Sequence, residues 1–247
     1  MSAENQRVVS LVPSLTQLVI DLGMKKQLVG RTRFCIKPKG EVEDIPIIGG
    51  TKNPHVDQIL ELNPDYVIAN KEENRQEDVE ALRQETEVNV TDIRTIEDAL
   101  ITNHEIGRDL GVPDRARELN SQIMDLFEER PNEDPLQTAY FIWRKPWMTV
   151  GHDTYIHDVM QHWNLTNITS NRPRYPTVDL KELADKNPEL ILLSSEPFPF
   201  KEDHIDEIES YFPDIRILLV NGQWFSWYGS HMVESFEKLN VWRKAIG

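Results

Sequence analysis

The histidines in the second half of the chain are the first residues that could perform acid–base chemistry or bind a metal. His152, Asp153 and His157 stand close together, and His162 follows. On a helix, His157 and His162 would point roughly 140° apart, and no glutamate lies between them, so the spacing excludes the His-Glu-x-x-His motif of zinc proteases. Ser14 lacks the flanking glycines of a nucleophile elbow and is typical of a helix N-cap. The sequence therefore predicts no catalytic residue, no metal site and no intrinsic cofactor, and the protein is expected not to be an enzyme.

Aromatic side chains are the other chemically distinctive feature. All six tryptophans and five of the six tyrosines lie at or beyond Tyr140. They concentrate in two groups, residues 140–147 and 224–231. Rigid rings provide a large contact area at low entropic cost, which suits them to binding a sizeable organic molecule. A single ring in either group could equally belong to the core, because large apolar side chains are usually at least partly buried.

Short β-branched runs alternate with apolar-faced helices along the chain. This pattern predicts an α/β fold in which parallel sheets carry helices on their faces. The predicted strands cover residues 7–12, 28–33, 66–69, 88–93, 140–143, 190–193 and 215–220. The predicted helices cover residues 13–23, 56–62, 96–110 and 230–245, another ends near residue 84, and residues 132–138 are expected to be a polar linker.

A repeated phrase divides the chain into two related halves. Residues 56–68 and 178–192 both contain a Val-Asp helix start, an Asn-Pro-acid turn and an apolar strand. Two ordinary helix–strand connections could share this turn chemistry, but the recurrence of the whole phrase favours two βα lobes. Between them, Pro113 opens one long amphipathic helix that Pro131 ends. The predicted organisation is an N-terminal lobe at residues 1–111, a connecting backbone helix at 112–131 and a C-terminal lobe at 132–247.

Composition excludes several classes of protein. The chain has 247 residues with 27 basic and 42 acidic side chains, a formal charge of −15, which opposes binding to nucleic acid or to an anionic membrane surface. The single cysteine, Cys35, excludes an intrachain disulfide, an iron–sulfur cluster and a multi-thiolate zinc site. No apolar run is long enough for a membrane span, and residues 1–6 lack the features of a signal peptide. Either the protein is cytoplasmic or a leader has been removed.

The predicted ligand site lies where the strands end. In open parallel sheets, ligands bind beyond the carboxyl ends of the strands, and these loops would line one cleft if the two lobes face each other. The predicted ligand-binding residues of the C-terminal lobe are Trp143, Arg144, Trp147, Trp224, Phe225, Trp227 and Tyr228. Those of the N-terminal lobe are Arg31, Arg33, Asn70 and Lys71.

Four segments carry a resemblance to a known family. The opening residues 7–17, the phrase at 62–68, the connecting helix and residues 151–156 resemble the substrate-binding proteins of ABC importers for cobalamin and iron chelates, and most closely the cobalamin-binding branch. The resemblance covers nearly the whole chain. It implies two lobes joined by one helix, an extracytoplasmic location, an ABC permease as partner and a monomer. It also places Trp224 and Phe225 at a Trp-Phe pair that lines the corrinoid cleft.

The chain departs from this branch at several positions. Thr51 and Asn70 stand where the branch places tryptophans, and His231 stands at a family arginine. The family docks on its permease through a glutamate on each lobe, and the matching positions here are Asp57 and Lys181, with Glu182 adjacent. The resemblance therefore implies docking through Asp57 and Glu182.

Three interpretations of function stay open at this point. A corrinoid would depend mainly on the rings, whereas an anionic iron–siderophore complex would favour the four cations Arg31, Arg33, Lys71 and Arg144. An enzyme on the same scaffold would use His152, Asp153 and His157. A binder of bare metal would need opposed histidines, for which only His55 and His231 are candidates.

Overall fold

The computed structural model describes residues 5–247. The chain divides into two compact units. The first unit contains the described part of residues 1–93, Glu97–Met124 and Tyr228–Met232. The second unit contains Arg94–Ile96, Asp125–Trp227 and Val233–Gly247. Each unit has its own sheet, as the two-lobe α/β prediction requires.

The first sheet is parallel throughout. Its strands are β1 (Val8–Ser10), β2 (Leu28–Arg31), β3 (Tyr66–Asn70) and β4 (Glu87–Thr91), in the order β2-β1-β3-β4. The helices of this part of the chain are α1 (Pro13–Asp21), α2 (Val56–Glu61), α3 (Gln76–Arg83) and α4 (Ile96–Asp109). Apolar side chains of β1, β3, α2 and α3 pack together, with Val9, Ile59 and Val67 fully buried among them. Strand β1 has neighbours on both sides, and Val8, Val9 and Ser10 are all fully buried, as expected for a central parallel strand.

The second sheet contains one antiparallel edge strand. Its strands are β5 (Leu136–Trp143), β6 (Met148–Thr149), β7 (Leu165–Asn167), β8 (Leu190–Ser194) and β9 (Arg216–Val220). Strand order is β6-β5-β8-β9, β7 pairs with the start of β5, and only β5 and β6 are antiparallel. The helices are α6 (Tyr155–His162), α7 (Leu180–Ala184), α8 (Glu202–Glu209), α9 (Gln223–Ser226) and α10 (His231–Ile246).

The connecting helix is continuous. Helix α5 covers Pro113–Glu128, so its 16 residues extend about 24 Å. It ends three residues before the predicted limit, and Ala116 and Ile123 are its fully buried positions. The boundary between the two units falls inside it, between Met124 and Asp125. The predicted fold class, two βα lobes with parallel-type sheets and one long backbone helix, is confirmed.

The repeated phrase forms the same local structure twice. In each unit a short helix, α2 or α7, leads through an Asn-Pro turn into a buried strand, β3 or β8. Asn63 and Asn187 both adopt positive φ, 45° and 50°, in this turn. Asparagine tolerates the left-handed region better than most residues, which explains why both turns use it.

The linker prediction for residues 132–138 is wrong at its end. Strand β5 begins at Leu136, and Thr138 is fully buried between Asn167 of β7 and Leu190 of β8. Polar composition suggested a loop, but pairing on both sides satisfies this backbone. The short elements β6, β7, α6, α8 and α9 also lie in segments for which no element was predicted, because two to eight residues carry too weak a periodic signal.

Cys35 is a buried, reduced thiol of the first unit. Thr16 Oγ1 donates to its sulfur at 3.0 Å, and Thr32 Oγ1 lies 3.1 Å away. Burial raises the pKa of the Cys35 thiol, so the reactive thiolate is disfavoured. Within residues 5–247, no helix combines the length and the apolar character that crossing a bilayer requires.

Candidate functional site

The predicted aromatic residues of the second unit follow three parallel strands that end at one edge of the sheet. Phe141 of β5 pairs with Leu193 of β8, and Ser194 pairs with Val220 of β9. Trp143 therefore ends β5 beside the loop that follows β8 and the short helix α9 that follows β9. The backbone places these segments at one edge, where α/β proteins bind ligands.

Trp143 is the exposed ring of this edge. Its side chain is 39% exposed, and its ring centroid lies 5.7 Å from that of Phe198 in a T-shaped arrangement. Phe198 in turn contacts Phe200 and His204, with centroids 4.7 and 5.2 Å away. Sequence analysis missed these three residues, although the Phe-Pro-Phe segment after β8 is a visible aromatic signal. The exposed indole therefore stands on a packed aromatic support.

Trp147 belongs to that support. Its ring stacks on Phe200 at 5.9 Å with an interplanar angle of 8°, and its centroid lies 5.3 Å from that of Phe141. It packs against the buried core of the second unit. Trp147 therefore supports the sheet edge by packing, and we do not propose it as a ligand contact.

Helix α9 separates the second aromatic group into buried and half-buried rings. Phe225 is fully buried, with its centroid 5.1 Å from Tyr140 and 5.9 Å from Trp242. Trp224 and Trp227 are half-buried. Consecutive side chains on a helical turn point about 100° apart, which allows one neighbour to enter the core while the other stays accessible. Phe225 is thus a core residue, whereas both tryptophans remain candidates for ligand contact.

A carboxylate holds Trp227. The indole Nε1 donates to Glu196 Oε1 at 2.8 Å, and Ser226 Oγ donates to the same oxygen at 2.9 Å. Glu196 lies in the loop after β8, at the same sheet edge as Trp143. Sequence analysis placed this loop at the site but did not select its glutamate, because a single acidic residue in an acidic chain carries no distinguishing signal.

In the first unit, Asn70 organises the loop after β3. It is 2% exposed, its Nδ2 donates to Thr91 Oγ1 at 3.0 Å, and its Oδ1 accepts from the backbone N of Glu72 at 2.8 Å and of Glu73 at 3.3 Å. Asn74 Oδ1 accepts from the Asn70 backbone N at 2.8 Å. All these bonds are internal, so Asn70 shapes the loop that other residues present.

Tyr228 also belongs to the first unit. Its hydroxyl donates to Glu73 Oε1 at 3.3 Å, and the side chain is 6% exposed. Burial, and the negative charges of Glu73 and Glu72, raise the pKa of the Tyr228 phenol well above its usual range. The phenol therefore stays a neutral hydrogen-bond donor at physiological pH.

Three of the four predicted cations already have partners. Arg31 is 6% exposed, and its guanidinium donates to the carbonyl of Val42 at 2.7 Å and of Cys35 at 3.1 Å. Lys71 pairs with Asp92 at 2.9 Å. Arg144 forms an ion pair with Glu207 of α8. Arg33 is exposed and has no ion pair within the described residues.

The three residues of the enzyme interpretation, His152, Asp153 and His157, contact residues 167–174. Asn167 Nδ2 lies 3.1 Å from His157 Nδ1, Asp153 Oδ1 accepts from the Arg174 backbone N, and His152 Nδ1 lies 3.0 Å from the Arg172 carbonyl. Within the described part of the chain, no group of three or more His, Cys, Asp or Glu side chains is placed to hold a metal ion. The two histidines considered for a bare-metal site differ in environment. His55 is exposed beside Gln58, whereas His231 is buried.

Burial of His157 predicts a pH-dependent stability. Burial lowers the pKa of His157, which is 6% exposed, while Asp158 and Asp153 oppose the shift and His152 adds to it. Because the folded pKa lies below the unfolded value of about 6.5, the stabilising contribution is present above pH 6.5 and is lost as the pH falls through the folded pKa.

His157→Gln tests this contribution. Between pH 7.5 and 5.5, the free energy of unfolding of the wild type should fall more steeply than that of the variant, by at most about 1.4 kcal/mol per pH unit. Urea denaturation at several pH values measures both slopes. His104→Gln makes the same substitution at an exposed site and serves as the matched control. Equal slopes for His157→Gln and the wild type would contradict the assignment.

Asp57 and Glu182, predicted to dock a permease, lie on equivalent helices. Asp57 is exposed in the first turn of α2, and Glu182 is exposed in the first turn of α7. Glu182 contacts Arg172 at 3.6 Å, and its backbone N donates to Asp179 Oδ1 at 3.2 Å. Both carboxylates are therefore accessible on their own units.

The chain is similar to known proteins over most of its length. The sequence profile of the family described as periplasmic binding protein matches residues 8–211. A vitamin B12-binding protein of Pectobacterium carotovorum subsp. carotovorum (strain PC1) is 22% identical over 245 residues, which cover 95% of this chain and 87% of that protein.

Solved structures share the fold. The periplasmic vitamin B12-binding protein BtuF of Vibrio cholerae has a TM-score of 0.81 at 18% identity, and the match covers 97% of each chain. The periplasmic heme-binding protein RhuT from Roseiflexus sp. RS-1, in apo form, has a TM-score of 0.79 at 17% identity, covering 98% of each chain. Proteins named for quite different tetrapyrroles thus have the architecture seen here.

Proposed function

This chain belongs to the periplasmic binding protein family, and on that premise we propose that it is the substrate-binding protein of an ABC importer, with a bulky metal chelate as its ligand. The observation that carries it is the exposed Trp143 on its aromatic support, at the same sheet edge as Trp227. An exposed ring on a packed base provides apolar area without the entropic cost of ordering a flexible side chain.

We propose a cobalamin-like corrinoid as the favoured ligand. The relative from Pectobacterium is named for vitamin B12. The aromatic rings support this choice. The alternative ligand is an anionic iron–siderophore complex, and the predicted cations do not favour it. Arg31 and Arg144 already have partners, and Lys71 pairs with Asp92. Of the cations that would attract an anionic chelate, only Arg33 is exposed and without an ion pair among residues 5–247.

The proposed ligand-contacting residues of the second unit are Trp143, Trp224 and Trp227. Those of the first unit are Tyr228, Arg33 and the loop shaped by Asn70. The partner in this proposal is an ABC permease, reached through Asp57 and Glu182, and the protein works as an extracytoplasmic monomer. Both carboxylates are exposed, which is the property that docking needs.

A titration panel tests the choice of ligand. Cyanocobalamin, a hydroxamate siderophore and a catecholate siderophore are each added to the purified protein while tryptophan fluorescence is recorded. Saturable quenching by cyanocobalamin at the lowest concentration is the expected result, since the ligand would contact exposed Trp143 and half-buried Trp224 and Trp227. Tighter binding of either siderophore would replace the corrinoid by the iron chelate, and no saturable quenching by any of the three would refute a chelate-binding function for these ligands.

A further inference from the structure

We infer that Glu196 selects the ligand by charge: its fixed carboxylate accepts hydrogen bonds from a ligand that carries N–H groups and disfavours a ligand that carries carboxylates. This inference rests on the proposed function. Neither the sequence motifs nor the family resemblance indicates Glu196, and its charge would distinguish two tetrapyrroles by the groups at their periphery.

Hydrogen bonds hold the loop that carries Glu196, both within the loop and to the segment after β9. Ser194 Oγ donates to the Glu196 carbonyl at 2.6 Å, and the Gly222 backbone N donates to Ser195 Oγ at 3.0 Å. A Cβ on Gly222 would lie 2.3 Å from Ser194 Oγ and 2.7 Å from Glu196 Cγ, so only glycine fits there. The backbone beneath the carboxylate is therefore built to hold one position.

Two donors then fix the carboxylate itself. Trp227 Nε1 donates to Oε1, and Ser226 Oγ lies 2.9 Å both from Oε1 and from the Gly222 carbonyl, so its one proton is shared between two acceptors. Within the described residues, Oε2 accepts no hydrogen bond and no Lys, Arg or His pairs with this carboxylate. The side chain is half-buried, so solvent and ligand can still reach it. A partly desolvated carboxylate that lacks a cation acts more strongly on its surroundings than an exposed one.

Arg144, the cation predicted for the ligand at this edge, pairs with a different carboxylate. Arg144 forms its ion pair with Glu207, so the guanidinium is already matched by a carboxylate. A ligand carboxylate brought to this edge would meet the charge of Glu196, whereas an amide N–H could donate to Oε2. Specificity of this kind comes as much from repelling the wrong ligand as from binding the right one.

The test compares two tetrapyrroles with opposite peripheral chemistry. Cyanocobalamin carries peripheral amides and hemin carries two carboxylates, so each ligand is compared between the wild type and a variant that lacks the charge of Glu196. In Glu196→Gln the amide oxygen can still accept from Trp227 Nε1, but the negative charge is lost and an NH2 donor faces the ligand. We expect the Kd for cyanocobalamin to rise about tenfold and the Kd for hemin to fall about tenfold. A purely structural role would weaken binding of both ligands.

Two variants complete the design. Glu237→Gln removes the same charge from an exposed site on α10 and should leave both affinities unchanged. Trp227→Phe removes the indole N–H but retains the carboxylate, so the preference against hemin should persist. Thermal melting of each variant confirms that it is folded.

The possible outcomes separate the two claims. If the wild type binds either macrocycle and Glu196→Gln leaves the ratio of the two Kd values unchanged, or shifts both Kd values in the same direction, the selection by Glu196 is wrong while the proposed function stands. If the wild type binds neither macrocycle nor a siderophore, the proposed function is wrong and the inference falls with it.

Discussion

Phe225→Ala is expected to lower the free energy of unfolding by about 3–5 kcal/mol, the usual cost of deleting a buried phenylalanine side chain. Phe225 is fully buried, and its ring lies 5.1 Å from Tyr140 and 5.9 Å from Trp242, so truncation leaves a cavity lined by two aromatic rings. Urea denaturation followed by far-UV circular dichroism measures the change.

The adjacent residue provides the matched control. Trp224 lies on the same short helix but is half-buried. Trp224→Ala should cost less free energy of unfolding than Phe225→Ala, because less of its surface is removed from water. If the free energy of unfolding of Phe225→Ala lies within about 1 kcal/mol of the wild-type value, Phe225 is not a core residue.

Trp143→Ala should weaken the binding of cyanocobalamin by about 30-fold or more, the loss typical of a tryptophan at the centre of an interface. The indole is 39% exposed and rests on Phe198, so its removal deletes ligand contact and opens no core cavity. Fluorescence or calorimetric titration gives the affinity, and the melting temperature is expected to change little.

Tyr211 is the control for loss of an exposed ring. It is 40% exposed and precedes β9, which places it towards the amino ends of the parallel strands. Tyr211→Ala should therefore bind as tightly as the wild type. If Trp143→Ala and Tyr211→Ala have the same affinity, the carboxyl edge of the second sheet is not the ligand surface.

The fold was accessible from the sequence because its signals are local and repeated. Buried parallel strands read as continuous apolar runs, and the Asn-Pro-acid turn appears in both units with the same positive φ at Asn63 and Asn187. The short strands β6 and β7 were not predictable, since their formation depends on pairing with β5 rather than on their own two or three residues.

The edge at which a site would lie could be predicted, but the role of each side chain could not. Arg31, near the end of a predicted strand, was expected to face a ligand, yet the carbonyls of Val42 and Cys35 in the segment that follows accept its hydrogen bonds. Phe225 and Trp227 lie in the same aromatic segment, and the sequence does not indicate which of the two is buried. The structure shows that Phe225 is buried and Trp227 is half-buried. Glu196 becomes noticeable only when the indole of Trp227, 31 positions later, is seen to donate to it.

Isothermal titration calorimetry of the wild-type protein with cyanocobalamin tests the central claim most directly. Saturable binding of one ligand per chain is expected, because exposed Trp143 and half-buried Trp224 and Trp227 belong to one edge of the second sheet. A negative heat-capacity change is also expected, since apolar surface is removed from water. Absence of saturable heat across the temperature range, with a protein shown to be folded, would contradict the account.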